Sequence, residues 1–254
     1  MTAAAAAERW VLVTGGAKRL GAAIAQACAT AGWRPVIHYG ASQEEAETLA
    51  GELHGVAVRG DLADTAAVPT LFARARAAAG APIAALVNSA SRFEFDRPEA
   101  IDAALAQRLH QINAVAPAQL AAALAAQPDV ADAAVVNLLD QKLANPNPDF
   151  FSYSMAKFAL AGATTMLAQA LAPQVRVNAV APGLTLKSGD QSDAEFDRAA
   201  HKNLLRRPVG AEAVAEAVVY LLSARSVTGQ TLYVDCGQRF LPSGGDIMFE
   251  DRDG

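Results

Sequence analysis

Short apolar runs alternate with longer segments of helical spacing along almost the whole of this chain. Residues 10–13, 34–38, 56–59, 84–88, 133–138, 175–179 and 231–234 are four to six residues long, and each carries at least one valine. Runs of that length and composition predict strands. Residues 20–31, 44–53, 68–79, 101–126, 153–171 and 213–222 are longer and are spaced as helices. Alternation of this kind predicts an α/β fold: a Rossmann-like, doubly wound parallel sheet in a single domain over residues 1–254.

Two stretches break the pattern. Residues 183–208 mix charges with one short helix and follow the carboxyl end of the sixth predicted strand. An excursion at that place in an open α/β sheet covers the ligand crevice, so a lid is expected at about 184–208. The last stretch, 241–254, is mixed and acidic, and it reads either as a frayed tail or as an arm against a neighbouring subunit.

Composition narrows the classes of function. A net charge of -5 lacks the basic face that nucleic acid requires. No apolar stretch is long enough to span a bilayer, and the alanine-rich start has no cationic lead. Cys28 and Cys236 are far apart and lack metal-ligand spacing, which fits two free thiols in a reducing compartment. The expectation is a soluble cytoplasmic protein with no metal, no nucleic-acid partner and no membrane partner.

Two motifs carry chemistry. Tyr153 and Lys157 are four residues apart, on one face of a predicted helix, with Asp140 upstream. A cation beside the phenol is expected to lower the tyrosine pKa towards the working range of a general acid. Thr14-Gly15-Gly16-Ala17-Lys18-Arg19-Leu20-Gly21 joins the first strand to the first helix. Glycines there permit a tight bend, and the helix N-terminus faces a pyrophosphate, as in a dinucleotide-binding turn.

With Asp61-Leu62, Asn88-Ser89-Ala90-Ser91, Asn113, Pro182-Gly183 and Val234-Asp235-Cys236-Gly237 added, the chain resembles the short-chain dehydrogenase/reductase family from about residue 10 to residue 240. Its departures from the commonest family pattern are informative. Arg19 replaces the middle glycine of the turn, Asn88-Ser89-Ala90-Ser91 stands for Asn-Asn-Ala-Gly, and Asp140 stands where a serine is usual. Together these resemble the pteridine reductase branch. That resemblance implies a pterin or folate-like ring as substrate, with Asp140, Tyr153 and Lys157 catalytic and Asn113 supporting a proton-relay water. It also implies that Phe93 stacks the ring and that Arg19 reaches its side of the pyrophosphate. Bland readings stand beside these: Phe93 as a loop aromatic plugging the core, Asp140 as a strand-end cap, Asn113 as a helix-kink residue, Arg19 as a solvated cation.

The resemblance assigns the cofactor to Gly15, Lys18, Arg19, Leu20, His38, Tyr39, Ser42, Asp61, Leu62, Asn88, Ala90, Ser91, Tyr153, Lys157, Pro182 and Gly183. After the second strand, His38-Tyr39-Gly40-Ala41-Ser42 offers no acid for a pair of ribose hydroxyls. Ser42, His38 and the cations Lys18 or Arg19 suit a 2′-phosphate instead, so NADPH is expected, although Ala41 stands where the branch commonly has an arginine. Residues 153–171 are apolar on several faces, and family members pair such helices, so a homotetramer is expected. Two rival functions are a carbonyl reductase acting on a 3-oxoacyl thioester or small ketone, and a silent dinucleotide-binding sensor or scaffold.

Overall fold

Parallel neighbours in a sheet need a crossover of a dozen or more residues, and the helical segments supply it. The computed structural model describes residues 9–187 and 191–249. Strands β1 (Arg9–Thr14), β2 (Trp33–Tyr39), β3 (Val56–Arg59), β4 (Ile83–Asn88), β5 (Ala133–Leu138), β6 (Val175–Pro182) and β7 (Thr231–Val234) form one sheet. Its order is β3-β2-β1-β4-β5-β6-β7, with every pairing parallel. The helices are α1 (Arg19–Thr30), α2 (Gln43–Glu52), α3 (Ala67–Ala79), α4 (Ala103–His110), α5 (Ala116–Ala125), α6 (Phe151–Ala170), α7 (Asp193–Ala200) and α8 (Ala211–Ser223).

Both faces of the sheet are buried, so the strands alternate sides without alternating polarity. Val11, Val13, Ile37, Val87 and Val136 pack with Ile24, Cys28, Val218 and Leu221 from α1 and α8. Leu12, Val36, Leu86, Val135 and Val177 pack on the other face with Leu71, Leu120 and Leu124 from α3 and α5. Strand order reverses between β1 and β4, and the carboxyl ends of these two strands open the crevice where α/β folds bind ligands.

The single helix expected over 101–126 is interrupted. Asp102, not Ile101, starts it, accepting hydrogen bonds from the Ala104 and Leu105 amides at 2.8 and 3.2 Å. α4 and α5 are then separated by a π turn, Gln111–Val115. Pro117, in the first turn of α5, has no N–H to continue the regular ladder, and the turn widens just before it. The 183–208 stretch contains α7, closed by a capping box between Ser192 and Glu195, while its residues 188–190 lie outside the described residues. Residues 250–254 of the tail lie outside the described residues. Its described part, 241–249, folds back on its own chain, where Asn145 Nδ2 donates to the Leu241 carbonyl at 2.7 Å.

The turn after β1 is the tightest point of the frame. Gly15 has φ of 62°, and a Cβ on Gly21 would lie 2.1 Å from the Gly15 carbonyl oxygen. Gly21→Ala is therefore expected to destabilise the fold by about 3 kcal/mol, through overpacking against backbone that has no room to retreat. Urea unfolding of the variant measures this, and an unchanged midpoint would contradict the packing described.

Candidate active site

α6 brings Tyr153 and Lys157 to one face, and Asp140 meets them from the end of β5. The Tyr153 hydroxyl donates to Asp140 Oδ2 at 2.9 Å, and Lys157 Nζ donates to the Leu138 carbonyl at 2.7 Å. Lys157 Nζ lies 5.5 Å from the centre of the Tyr153 ring. The other Asp140 oxygen accepts from the Lys142 amide at 2.9 Å, capping a short 3₁₀ turn, so the strand-end-cap reading holds as well.

Burial governs this trio. Lys157 is pushed down to about 8, first by desolvation. Asp140 is raised because desolvation outweighs the Lys142 amide, the Tyr153 hydroxyl and the Lys157 charge. Tyr153 is raised well above the ordinary phenol range by burial, then by the charge and hydrogen bond of Asp140. The expected lowering by Lys157 does not occur, because the carboxylate is closer and the surroundings are dry. Burial and the Asp140 carboxylate both favour the protonated phenol.

The loop after β4 covers the trio. Asn113, turned inward by the π turn, accepts from Ser91 Oγ at 2.8 Å and from the Arg92 amide at 3.1 Å, and donates to the Arg92 carbonyl at 2.9 Å. It is both the residue of an irregular helix and the clamp of this loop. Phe93 stacks on Phe150 at 3.9 Å and meets Tyr153 edge-on at 4.7 Å. It is 38% exposed and lines the cavity, so it is not a core plug. Asn88 turns away into the sheet, where its amide donates to Asn137 Oδ1 at 2.8 Å and Asn137 donates to Thr164 at 2.9 Å.

At the other end of the crevice Gly15 lies against Ala90, whose amide donates to Thr14 Oγ1 at 3.0 Å. Arg19 opens α1 with φ of 55°, the left-handed conformation that glycine takes freely and a side chain holds at a cost of about 1 kcal/mol or more. Its guanidinium donates to the Lys187 carbonyl at 2.6 Å, bridging the crevice to the 183–208 stretch. Lys18 pairs with Glu45 at 2.5 Å. Asp61 forms a local turn with the Ala63 amide at 2.9 Å, and the Leu62 side chain is buried in the core.

Two residues expected at the cofactor end turn their side chains inward. His38 is buried, with Nδ1 accepting from the Gly15 amide at 3.2 Å and Nε2 facing the Gly60 carbonyl at 3.3 Å. Its pKa is lowered to about 4 by burial, so it braces the glycine turn as a neutral ring. The Tyr39 ring belongs to the core cluster with Ala46 and Leu49, leaving its backbone at the crevice rim. Ser42 precedes α2 and makes no capping bond with its side chain.

A cavity of about 750 Å³ connects these parts, lined among others by Arg19, Leu20, Ser91, Phe93, Asp140, Tyr153, Lys157, Pro182 and Gly183. Gly15, Lys18, His38, Tyr39, Ser42, Asp61, Leu62, Asn88, Ala90 and Asn113 do not line it. Sequence reasoning missed Lys142, Gln238, Pro242, Ser243 and Gly245 to Met248, which also face the cavity. Their contacts join residues up to 104 positions apart, and no local pattern announces them.

A family model described as Enoyl-(Acyl carrier protein) reductase matches residues 15–239. The chain belongs to the short-chain dehydrogenase/reductase family. Within it, the chain is 34% identical to pteridine reductase 1 of Leishmania tarentolae, over 89% of this chain and 94% of the relative. It is 26% identical to dihydromonapterin reductase of Klebsiella pneumoniae, over 91% and 96%. The solved structure of FolM alternative dihydrofolate reductase 1 from Brucella canis, complexed with NADP, superposes with a TM-score of 0.89 at 39% identity, over 93% of this chain and 96% of that one.

In this short-chain reductase the buried neutral His38 ties stability to acid. Its folded pKa of about 4 lies below the ordinary 6.5, so the unfolded chain binds the proton first. The stability is fully present above pH 6.5 and is lost as pH falls towards 4, to the extent of about 3 kcal/mol. Urea midpoints across that window should fall more steeply for the native chain than for His38→Gln; parallel curves would contradict the assignment.

Proposed function

We propose that this chain is a single-domain, NADPH-dependent reductase of pterin rings, accepting a pterin, a dihydropterin or dihydrofolate. The observation that carries the reading is the 2.9 Å hydrogen bond from Tyr153 to Asp140, placed beside an aromatic cavity wall at Phe93. The names and the shared NADP-bound fold of the relatives support it. No described helix is long and apolar enough to cross a membrane. A cytoplasmic location fits the free thiols of Cys28 and Cys236.

The residues present fit a dinucleotide. Gly15 leaves close approach to the turn, the first amides of α1 carry no side-chain cap at Lys18, and Ser42 has a hydroxyl without a capping partner. Lys18 and Arg19 would be the cations for a 2′-phosphate, with Lys18 exchanging Glu45 for it. Leu20, Asp61, Leu62, Ala90, Pro182 and Gly183 would border the cofactor. Lys157, held by the Leu138 carbonyl, would meet the nicotinamide ribose. When bound, NADPH supplies the hydride.

The protein's own residues manage the proton. A ring C=N bond gains its proton at nitrogen, and Tyr153 Oη is the donor aimed into the cavity. Asp140, accepting from that hydroxyl at 2.9 Å, keeps it oriented, and the proton is replaced from solvent once the product leaves. Lys157 limits the negative charge that builds on Tyr153 as the proton leaves. Phe93 holds the flat ring by stacking. Asn113 acts from behind, fixing the loop that carries Ser91 and Phe93. The segment about 184–208 acts as the lid, tied to the crevice through Arg19.

Tyr153→Phe should lose turnover by on the order of 10²–10⁴-fold while keeping NADPH affinity. Cofactor oxidation followed by absorbance with dihydrobiopterin, dihydrofolate and a 3-oxoacyl thioester in parallel tests the class. Turnover on the thioester alone would replace this reading with the carbonyl one, and tight NADPH binding without any turnover would favour a silent sensor.

Apolar side chains left exposed along α6 (Met155, Phe158 and Met166), with Tyr220 of α8 and Leu232 of β7, support assembly as a homotetramer. Light scattering should return about four chain masses, given closed two-fold pairing through two such faces. A single-chain mass would refute it.

A further inference from the structure

A second cluster of buried charge lies beside the catalytic trio, joining parts of the chain that sequence does not connect. Lys142 is 4% exposed, and its Nζ donates to the Asp149 carbonyl at 2.8 Å and to Asp246 Oδ2 at 3.0 Å. Asp149 Oδ2 accepts from the Asp246 amide at 2.7 Å, and its Oδ1 accepts from Arg97 at 2.9 Å. Two cations and two carboxylates are thereby paired, Lys142, Asp149 and Asp246 buried and Arg97 closing the group from the exposed side. They tie the tail to the turn before α6 and to the loop that carries Phe93.

The tail approaches so closely that a Cβ on Gly245 would sit 2.9 Å from Asp149 Oδ2. Beyond it, Phe249 lies parallel to Phe150 at 6.0 Å, and Phe150 stacks on Phe93 at 3.9 Å. The result is a ladder of three rings, with Phe93 the rung at the cavity. Ile247 and Met248 line that same cavity. Asp246 also faces Tyr153 closely enough to add to the upward push on its proton.

We propose that residues 242–249 are the substrate-side wall of the pocket, and that the Lys142–Asp246 ion pair is the latch positioning this wall and the aromatic ladder behind Phe93. The pair then governs how firmly the flat ring is held and leaves the cofactor's hold alone. This rests on the reading above that the cavity takes a pterin-like ring. Lys142 and Asp246 are positioning residues: they act through the wall and through Phe93. Removing one partner strands the other charge in the interior, while removing both leaves none behind, so the single variants should suffer more than the double.

The experiment compares Asp246→Asn, Lys142→Met, the double variant and Gly245→Ala, the last keeping every charge while wedging the tail outward. Amide exchange over residues 241–249 reads the latch; KM and kcat with dihydrobiopterin, together with NADPH affinity by fluorescence, read its consequence. Each single variant should speed tail exchange and raise KM by about tenfold, with a smaller fall in kcat and NADPH affinity within about twofold. The double variant should lie between the singles and the native chain.

Unchanged tail exchange in all variants would overturn the latch. Faster exchange with unchanged KM would overturn the positioning role, and a parallel loss of NADPH affinity would reduce the pair to general support. If the native chain turns over no pterin or folate, the functional reading fails separately. The exchange measurement then still decides the latch, and KM is read on whichever substrate is turned over.

Discussion

A phenol and a carboxyl buried against each other share a proton that neither gives up readily. The Tyr153–Asp140 hydrogen bond imposes that condition here, and much of the surrounding structure serves it. An isolated carboxylate in a dry interior costs several kcal/mol, so it must be hydrogen-bonded or paired. Asp140 has the Lys142 amide on one oxygen and Tyr153 on the other, with the Lys157 ammonium close by. Lys157 is in turn held to the β5 backbone. Removing any one of these supports would leave buried charge without compensation.

The sheet makes the arrangement possible. Parallel strands deliver their carboxyl ends to one edge, so Asp140 after β5, Ser91 after β4 and Gly183 after β6 converge without long excursions. Asn88, Asn137 and Thr164 lock β4, β5 and α6 together beneath the site through side-chain bonds inside the core. The π turn before Pro117 performs a related task from the flank, presenting Asn113 to the Ser91–Arg92 backbone. A regular helix over the same residues would advance each side chain about 100° per residue and would not hold that direction.

The two ends of the crevice solve opposite electrostatic problems. At the cofactor end, His38 is neutral and bridges Gly15 to Gly60, so rigidity comes from uncharged hydrogen bonds and positive charge is left to Lys18 and Arg19. At the substrate end, charge is abundant and internally balanced among Arg97, Lys142, Asp149 and Asp246. Arg19 joins the two, accepting a left-handed backbone so that a guanidinium stands where glycine would leave open space. Its bond to Lys187 links the glycine turn with the segment that follows β6.

Periodicity and spacing alone determined the strand–helix alternation, the glycine turn and the Tyr153–Lys157 pair, because each depends on neighbours within one or two turns of chain. The Asp140 substitution was legible through the family resemblance, as the residue standing where a serine is usual. Tertiary structure decided the rest. His38 and Tyr39 read as cofactor contacts until packing turned both side chains inward, and burial reversed the expected direction for the Tyr153 proton. The tail gave no local signal: Asp246 has meaning only beside Lys142, and a pairing across 104 residues is set by how the chain folds back, not by any pattern along it.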